Sequence, residues 1–300
     1  MVVLVAVGVR VQRVEGRVPP LVELASNEAY NRNPMWKECF PYAAGDVSPV
    51  CNYGGQSLAA IMVGDSYADA TITALQTALG DHSKGVKLLA HANCPIVEGT
   101  NQSLPPANRC HNFHDQVFDY VKSVPVEIPV ILITAASAYP LGNLQNGYKP
   151  IHYFSKKYEE PSAEFLDEYS RRYVNSICKL AEGRNLYVVK PIPEMPVNVP
   201  SVVSRSLLVT GQVSDVSISY EDYKVRHRFI EESLEKAARA CGVQILDPSP
   251  YLCSSGRCWG SKAGRPLYYD AGHMSEYGNK LLVPMFIKIF EGRNQLQVVN

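Results

Sequence analysis

Ala59-Ala60-Ile61-Met62-Val63-Gly64-Asp65-Ser66-Tyr67-Ala68-Asp69-Ala70 is the stretch whose reading decides the fold. The apolar run stops at Gly64, and residues 68–79 carry a helical pattern just beyond Ser66. A strand that turns directly into a helix presents its turn residue at the carboxyl edge of a sheet, where open α/β folds place their sites. Gly64 permits the tight turn. Ser66 falls near a helix N-terminus, whose backbone N–H groups favour developing negative charge. The stretch therefore suits a nucleophilic serine, although a buried strand that ends in an ordinary Asp or Ser N-cap shows the same pattern.

A second stretch near the C-terminus changes the balance: Leu267-Tyr268-Tyr269-Asp270-Ala271-Gly272-His273-Met274-Ser275-Glu276-Tyr277-Gly278, followed by an apolar helix-like run over residues 280–290. A serine hydroxyl is a poor nucleophile at neutral pH and needs a base, a task that suits imidazole. The imidazole in turn needs a carboxylate that holds its tautomer and stabilises its charged form. Asp270 and His273, three positions apart, can supply both groups from one loop.

With Gly64-Asp65-Ser66 and Asp270-x-x-His273, the chain resembles the SGNH (GDSL-type) hydrolase and acyltransferase superfamily. More closely, it resembles the extracytoplasmic SGNH domain fused to acyltransferase-3 membrane proteins, which O-acetylate bacterial surface glycans. Val63-Gly64-Asp65-Ser66-Tyr67-Ala68, Asn93-Cys94-Pro95-Ile96, Pro191-Ile192-Pro193-Glu194-Met195-Pro196 and Leu267 to Ser275 carry that match. The serine and Asp-His motifs are specific to the superfamily, whereas the Cys-Pro and Pro-rich motifs point to the branch.

Composition sets the frame. Three hundred residues with 46% hydrophobic content can bury one substantial α/β core, or a core plus an appendage. Lys plus Arg equals Asp plus Glu at 29 each, so nothing argues for nucleic acid or an acidic surface as partner. An excess of Tyr (18) over Phe (8) fits a carbohydrate partner, whose rings a Tyr face can cover, and equally fits an ordinary core.

Six of the eight cysteines fall into local pairs in Gly-, Pro-, Asn- or Ser-rich sequence: Cys39 with Cys51, Cys94 with Cys110, and Cys253 with Cys258. A bridge closing about 15 residues constrains the unfolded chain by roughly 3 kcal/mol in the entropy model, and such pairing belongs to an oxidising compartment. A mixed metal site from Cys94, Cys110, His111 and His114 is the competing reading, but the tight Cys-x-x-Cys spacing of zinc sites is absent. Disulfides are favoured and no metal is expected. Cys178 and Cys241 sit in helix-like segments, where a buried free thiol is the default expectation and a fourth bridge the alternative.

In chain order, residues 1–9 are apolar but too few to span a membrane, which needs about 20. They read either as a short buried strand or as the trimmed end of the membrane helix that precedes the domain in the fused family. Residues 11–50 show little periodicity and read as a linker, so the expected division is a membrane-proximal extension over 1–50 and one SGNH catalytic domain over 51–300. Strands are expected to begin at Leu58, Val86, Val130, Leu186 and Val243, alternating with helices over residues 68–79, 112–123, 162–182 and 220–241. Such alternation argues for a three-layer α/β/α sandwich on a central parallel sheet of about five strands. Residues 191–200 are proline-dense and extended, fit for a fixed cleft wall or a surface linker; residues 201–219 are poorly patterned.

Two departures from the superfamily concern the oxyanion. Its loop after the second strand supplies a glycine N–H; here Ala92 or Asn93 would have to provide that donor, which a backbone group can do whatever its side chain. The superfamily's asparagine after the next strand is missing, because the sequence reads Ala135-Ala136-Ser137-Ala138-Tyr139 and has no asparagine until Asn143. The Arg-Trp pair common in the membrane-fused branch is absent too. Ser137 is the substitute donor considered, beside a plain loop serine. Losing one such donor costs about 2.7–4 kcal/mol of transition-state stabilisation, which predicts slow hydrolysis.

The resemblance implies acyl transfer through a Ser66 ester, with His273 as base, Asp270 orienting it, and the N–H groups of Ser66 and Asn93 (with Ser137) around the oxyanion. It further implies an acetyl donor, a glycan acceptor such as a surface polysaccharide or lipopolysaccharide sugar, an acyltransferase-3 membrane domain upstream, and a periplasmic location tethered to the inner membrane. No cofactor is expected. A secreted esterase or deacetylase with the same three residues is the nearest rival, and a catalytically idle carbohydrate-binding domain is the rival of another class.

Overall fold

Six strands form the central sheet: β1 (Cys51–Gly54), β2 (Ser57–Gly64), β3 (Lys84–Ala90), β4 (Val130–Ile133), β5 (Leu186–Val189) and β6 (Gln244–Leu246). Their order is β1-β3-β2-β4-β5-β6, with β1 antiparallel to β3 at one edge and every other pairing parallel. The structure is a computed structural model that describes residues 18–40, 48–102, 109–144, 147 and 149–294. The apolar residues 1–9 lie outside the described residues. Helices α1 (Pro20–Asn27), α2 (Ser66–Ala78), α3 (Arg109–Ser123), α4 (Ala163–Leu180), α5 (Val199–Thr210), α6 (Tyr220–Cys241) and α7 (Val283–Asn294) complete the main framework.

The pleat of β2 explains the layers. Successive side chains point to opposite faces, and Ala60, Ile61, Met62 and Val63 are all fully buried. Ala60 and Met62 pack with Ile72 and Leu75 of α2 and Phe286 and Ile289 of α7. Ile61 and Val63 pack with Phe113 of α3, Phe165 of α4 and Ile230 of α6. A strand apolar on both faces belongs to a parallel sheet covered on both sides, so the chain is a three-layer α/β/α sandwich.

Three features depart from the sequence reading. The sixth strand, β1, was not expected, since Cys-Asn-Tyr-Gly offers no alternation and gains its place by pairing along β3. Residues 199–210 form α5 where little pattern was visible: Asn198 Oδ1 caps the Ser201 N–H (3.1 Å), a proline sits in the first turn, and Gly211 closes the helix in the left-handed conformation. Its apolar residues are split, with Val203 and Leu207 buried and Leu208 and Val209 exposed, which erases the amphipathic signature. Part of the expected linker is helical and anchored, because Arg265 Nε donates to Glu28 Oε1 (2.7 Å) and Asn33 Nδ2 donates to Asp69 Oδ1 (2.6 Å).

Cys39–Cys51, Cys94–Cys110 and Cys253–Cys258 are disulfides, and Cys178–Cys241 is a fourth. The expectation of free thiols at Cys178 and Cys241 is corrected: they join the C-terminal ends of α4 and α6, which pack together on one face of the sheet. A separation of 63 residues between two helices carries no local loop signature. The Cys94/Cys110/His111/His114 metal reading also falls. Both sulfurs are in a bridge, and the two imidazoles face the carbonyl oxygens of Thr100 (3.1 Å) and Pro95 (2.6 Å). Among the described residues no helix is long and apolar enough to cross a membrane.

Replacing Cys178 and Cys241 together by alanine is expected to destabilise the fold by up to about 4 kcal/mol, the loop-entropy value for this separation, read as a lower urea midpoint. Gly64→Ala is expected to cost about 1–3 kcal/mol as overpacking, because an added Cβ would lie 1.9 Å from the Ile133 carbonyl oxygen; urea denaturation at unchanged m-value is the check.

Candidate active site

Ser66 is the first residue of α2, and Asp65 is its N-cap. Asp65 Oδ1 accepts from the Tyr67 N–H (2.8 Å), and Oδ2 accepts from the Ala135 N–H (2.8 Å) and from the Tyr139 hydroxyl. Burial pushes the Asp65 carboxyl up from its ordinary value, and these three donors oppose the shift. The same carboxylate therefore closes the strand-to-helix turn and ties it to the exit of β4. Sequence reading weighs Asp65 only as an ordinary N-cap and does not foresee its bonds to Ala135 and Tyr139.

His273 reaches the serine from the other end of the chain. Its Nε2 lies 2.7 Å from Ser66 Oγ, and its Nδ1 lies 2.7 Å from Asp270 Oδ2. Asp270 Oδ1 accepts from the N–H groups of Gly272 and His273, each at 2.8 Å, so the carboxylate is fixed by the loop it belongs to. The loop is held from outside by the Pro-rich segment: the Met195 N–H donates to Ala271 O (2.7 Å) and the Val199 N–H donates to Asp270 O (3.1 Å). Residues 191–200 thus form a wall of the cleft, with Glu194 and Met195 in its lining.

The electrostatics of the pair make an imidazolium easier to form than on an isolated histidine and keep the carboxylate ionised. Burial alone pushes His273 down, but the Asp270 carboxylate, by hydrogen bond and by charge, raises it above its ordinary value of 6.5. Burial alone would raise Asp270, but the His273 imidazole and the loop amides hold it below the usual carboxylate range. Two rings flank the imidazole. Tyr269 stacks on it at 5.2 Å and 4°, and Tyr67 lies tilted at 4.9 Å.

The structure treats the three oxyanion candidates differently. Ser66 and Asn93 both line the cleft. Asn93 adopts φ 58°, a left-handed conformation that asparagine tolerates better than most residues, so it takes up the backbone geometry a glycine would provide. Ser137 is corrected: it is fully buried, and its hydroxyl pairs with His227 Nδ1 at 2.7 Å. Tyr139, Asn143 and Glu194, none of which sequence reading gave a chemical role, also line the cleft. Asn143 stands eight residues beyond Ala135, brought back by the short helix Ala138–Leu141.

A family described as "SGNH domain (fused to AT3 domains)" matches residues 38–288. No curated protein sequence matches the chain. Among solved structures, the periplasmic domain of a lipopolysaccharide acetyltransferase from Salmonella ser. Paratyphi A aligns with TM-score 0.57 at 14% identity, covering 93% of this chain and 98% of that one. The C-terminal catalytic domain of peptidoglycan O-acetyltransferase A from Streptococcus pneumoniae gives TM-score 0.36 at 14% identity, with 81% and 97% covered. An aryl esterase from M. smegmatis gives 0.45 at 14% identity, with 79% and 99% covered.

The His273 imidazole, followed by its ring-proton chemical shifts against pH, is expected to titrate above 6.5. Asp270→Asn removes the strongest of the contributions that raise it and leaves burial in place, so in that variant the midpoint is expected to fall below that of the wild type.

Proposed function

The chain belongs to the family of SGNH domains that are fused to AT3 domains, and from that premise we propose a serine-dependent O-acyltransferase that carries its acyl group on Ser66. The observation behind this reading is the unbroken hydrogen-bonded line from Ser66 Oγ through His273 to Asp270, both links at 2.7 Å, at the edge of an open cleft. In the first half-reaction His273 Nε2 takes the Ser66 proton as Oγ attacks the donor carbonyl, and then returns it to the leaving group. In the second, the proton of an acceptor hydroxyl passes to His273 while that oxygen bonds to the acyl carbon. The Ser66–acyl bond then breaks, and the proton ends on Ser66 Oγ. The charge held by Asp270 stabilises the imidazolium in both halves.

The oxyanion is received by the N–H groups of Ser66 and Asn93. The amides of Tyr67, Ala68 and Asp69 are all bonded to Asp65, which leaves the Ser66 amide as the donor of that turn open to a ligand. The group transferred is acetyl and the acceptor is a hydroxyl of a bacterial surface glycan or lipopolysaccharide sugar. Support comes from the family match and from the described activity of the Salmonella domain. An AT3 membrane domain of the same polypeptide would present the acetyl donor, with the SGNH domain over residues 51–300 on the periplasmic side of the inner membrane. Four disulfides fit that compartment.

A fluorophosphonate probe is expected to label the wild-type protein at Ser66 and to leave Ser66→Ala unlabelled; an unlabelled wild type would favour the idle carbohydrate-binding alternative. Asp270→Asn is expected to slow release of p-nitrophenol from p-nitrophenyl acetate by roughly 10³–10⁴-fold, the loss that follows when a base loses its orienting carboxylate.

A further inference from the structure

Glu194 is a buried carboxylate that the serine, imidazole and aspartate do not use. It is 8% exposed, and the cleft it lines is the one that holds Ser66 and His273. Arg226 of α6 donates to it from Nε (3.1 Å) and Nη2 (3.0 Å), and both bonds fall on the same oxygen, Oε2. The guanidinium is itself 10% exposed and also donates to the Gly142 carbonyl. Glu194 Oε1 accepts no hydrogen bond among the described residues. The next residue, Met195, bonds through its N–H to Ala271 O, so Glu194 is fixed relative to the loop that carries His273.

A wall that had only to enclose the cleft would be cheaper if apolar, since burying an ion pair costs desolvation that its attraction repays only with good geometry. This pair is arranged so that one oxygen is neutralised and the other is left open. Burial pushes the Glu194 carboxyl up and the Arg226 guanidinium pushes it back down; in the ionised form that pairs with the guanidinium it is an acceptor only. It would repel a developing oxyanion and gain from a hydroxyl, and charge-assisted bonds of that kind are roughly twice as strong as neutral ones. Its natural ligand is therefore on the alcohol side of the reaction. We propose that Glu194, held by Arg226, is an acceptor-binding residue: Oε1 takes a hydroxyl neighbouring the one that attacks, which selects neutral, hydroxyl-rich acceptors over simple alcohols. The inference rests on the acyl-Ser66 reading. In the transfer step the attacking oxygen bonds to the acyl carbon, the bond from that carbon to Ser66 Oγ breaks, and the proton travels through His273 to Ser66. Glu194 holds the neighbouring hydroxyl and exchanges no proton.

The test is a competition on one acyl-enzyme. The protein is acetylated with p-nitrophenyl acetate in an equimolar mixture of methyl α-D-glucopyranoside and 1-propanol, and the acetylated glucoside and propyl acetate are counted by mass spectrometry. Both esters drain from the same intermediate, so their ratio is independent of how much protein is folded or acylated. The wild type is expected to favour the glucoside, and E194Q to lower the glucoside-to-propyl ratio at least tenfold. Should E194Q fail to fold, E194D keeps the charge that faces Arg226 but shortens the reach, with a fall of at least threefold expected. A ratio unchanged by substitution, a wild type without preference, or Ser66 labelling without either ester overturns the acceptor assignment alone. A wild type that neither labels at Ser66 nor forms either ester overturns the acyl-Ser66 reading beneath it.

Discussion

One buried carboxylate holds the serine where it is. Asp65 is fully buried, and an isolated charge there would be costly, yet its two oxygens accept from Tyr67, Ala135 and Tyr139. Those bonds do three jobs at once: they cap α2, join the exit of β2 to the exit of its neighbour β4, and fix Ser66 at the first position of the helix. The preceding Gly64 is required for the same reason, because the Ile133 carbonyl stands where a Cβ would go. Gly-Asp-Ser is thus a mechanical unit in which each residue has a separate task, with backbone clearance, turn closure and chemistry in that order.

The opposite half of the site is assembled by backbone pairing. The Asp270–His273 loop folds on itself, with the Tyr269 N–H donating to His273 O (3.0 Å), and is pinned to the Pro-rich wall through Ala271 O and Asp270 O. Prolines suit that wall: they restrict φ and remove donors that would otherwise need partners. From the far side Tyr269 stacks on the imidazole, and the Arg32 guanidinium lies between the Tyr269 ring (4.9 Å) and the Trp36 ring (4.7 Å). Arg32 and Trp36 come from the segment whose sequence read as a linker. Their contacts make it a support of the His273 imidazole through Tyr269, reached only once the chain has folded back on itself.

What was legible in the sequence follows from which signals are local. The strands of the sheet centre announce themselves as apolar runs, and α2, α4 and α6 as periodic ones, because burial on a fixed face imposes a period. Ser66, His273 and Asp270 were legible as residue types at telling positions, and their meeting is a matter of topology. Three kinds of feature were hidden. β1 and α5 draw their stability from neighbours, and their own patterns are weak. The Cys178–Cys241 bridge depends on two helices packing side by side. The Glu194–Arg226 pair joins residues 32 apart in sequence, and a Glu in a Pro-rich run gives no hint of that. Ser137 misled for the complementary reason: its position after β4 was suitable, but a buried histidine 90 residues later takes its hydroxyl.

The fate of Ser137 bears on the choice between transfer and hydrolysis. With its hydroxyl engaged by His227, Ser137 leaves the oxyanion of the proposed mechanism to the backbone donors Ser66 and Asn93, and a missing donor is worth about 2.7–4 kcal/mol where it operates. In that mechanism the deficit would slow attack on an acyl-serine by water and by a sugar alike. A bound acceptor can recover it, because a hydroxyl held in attacking geometry gains an effective concentration that water in an open cleft does not. With Glu194 in the proposed acceptor role, a site modest toward the oxyanion would penalise the solvent more than the acceptor. On that reasoning the proposed acceptor site would favour transfer over hydrolysis, by the difference between an acceptor that is held and one that merely arrives.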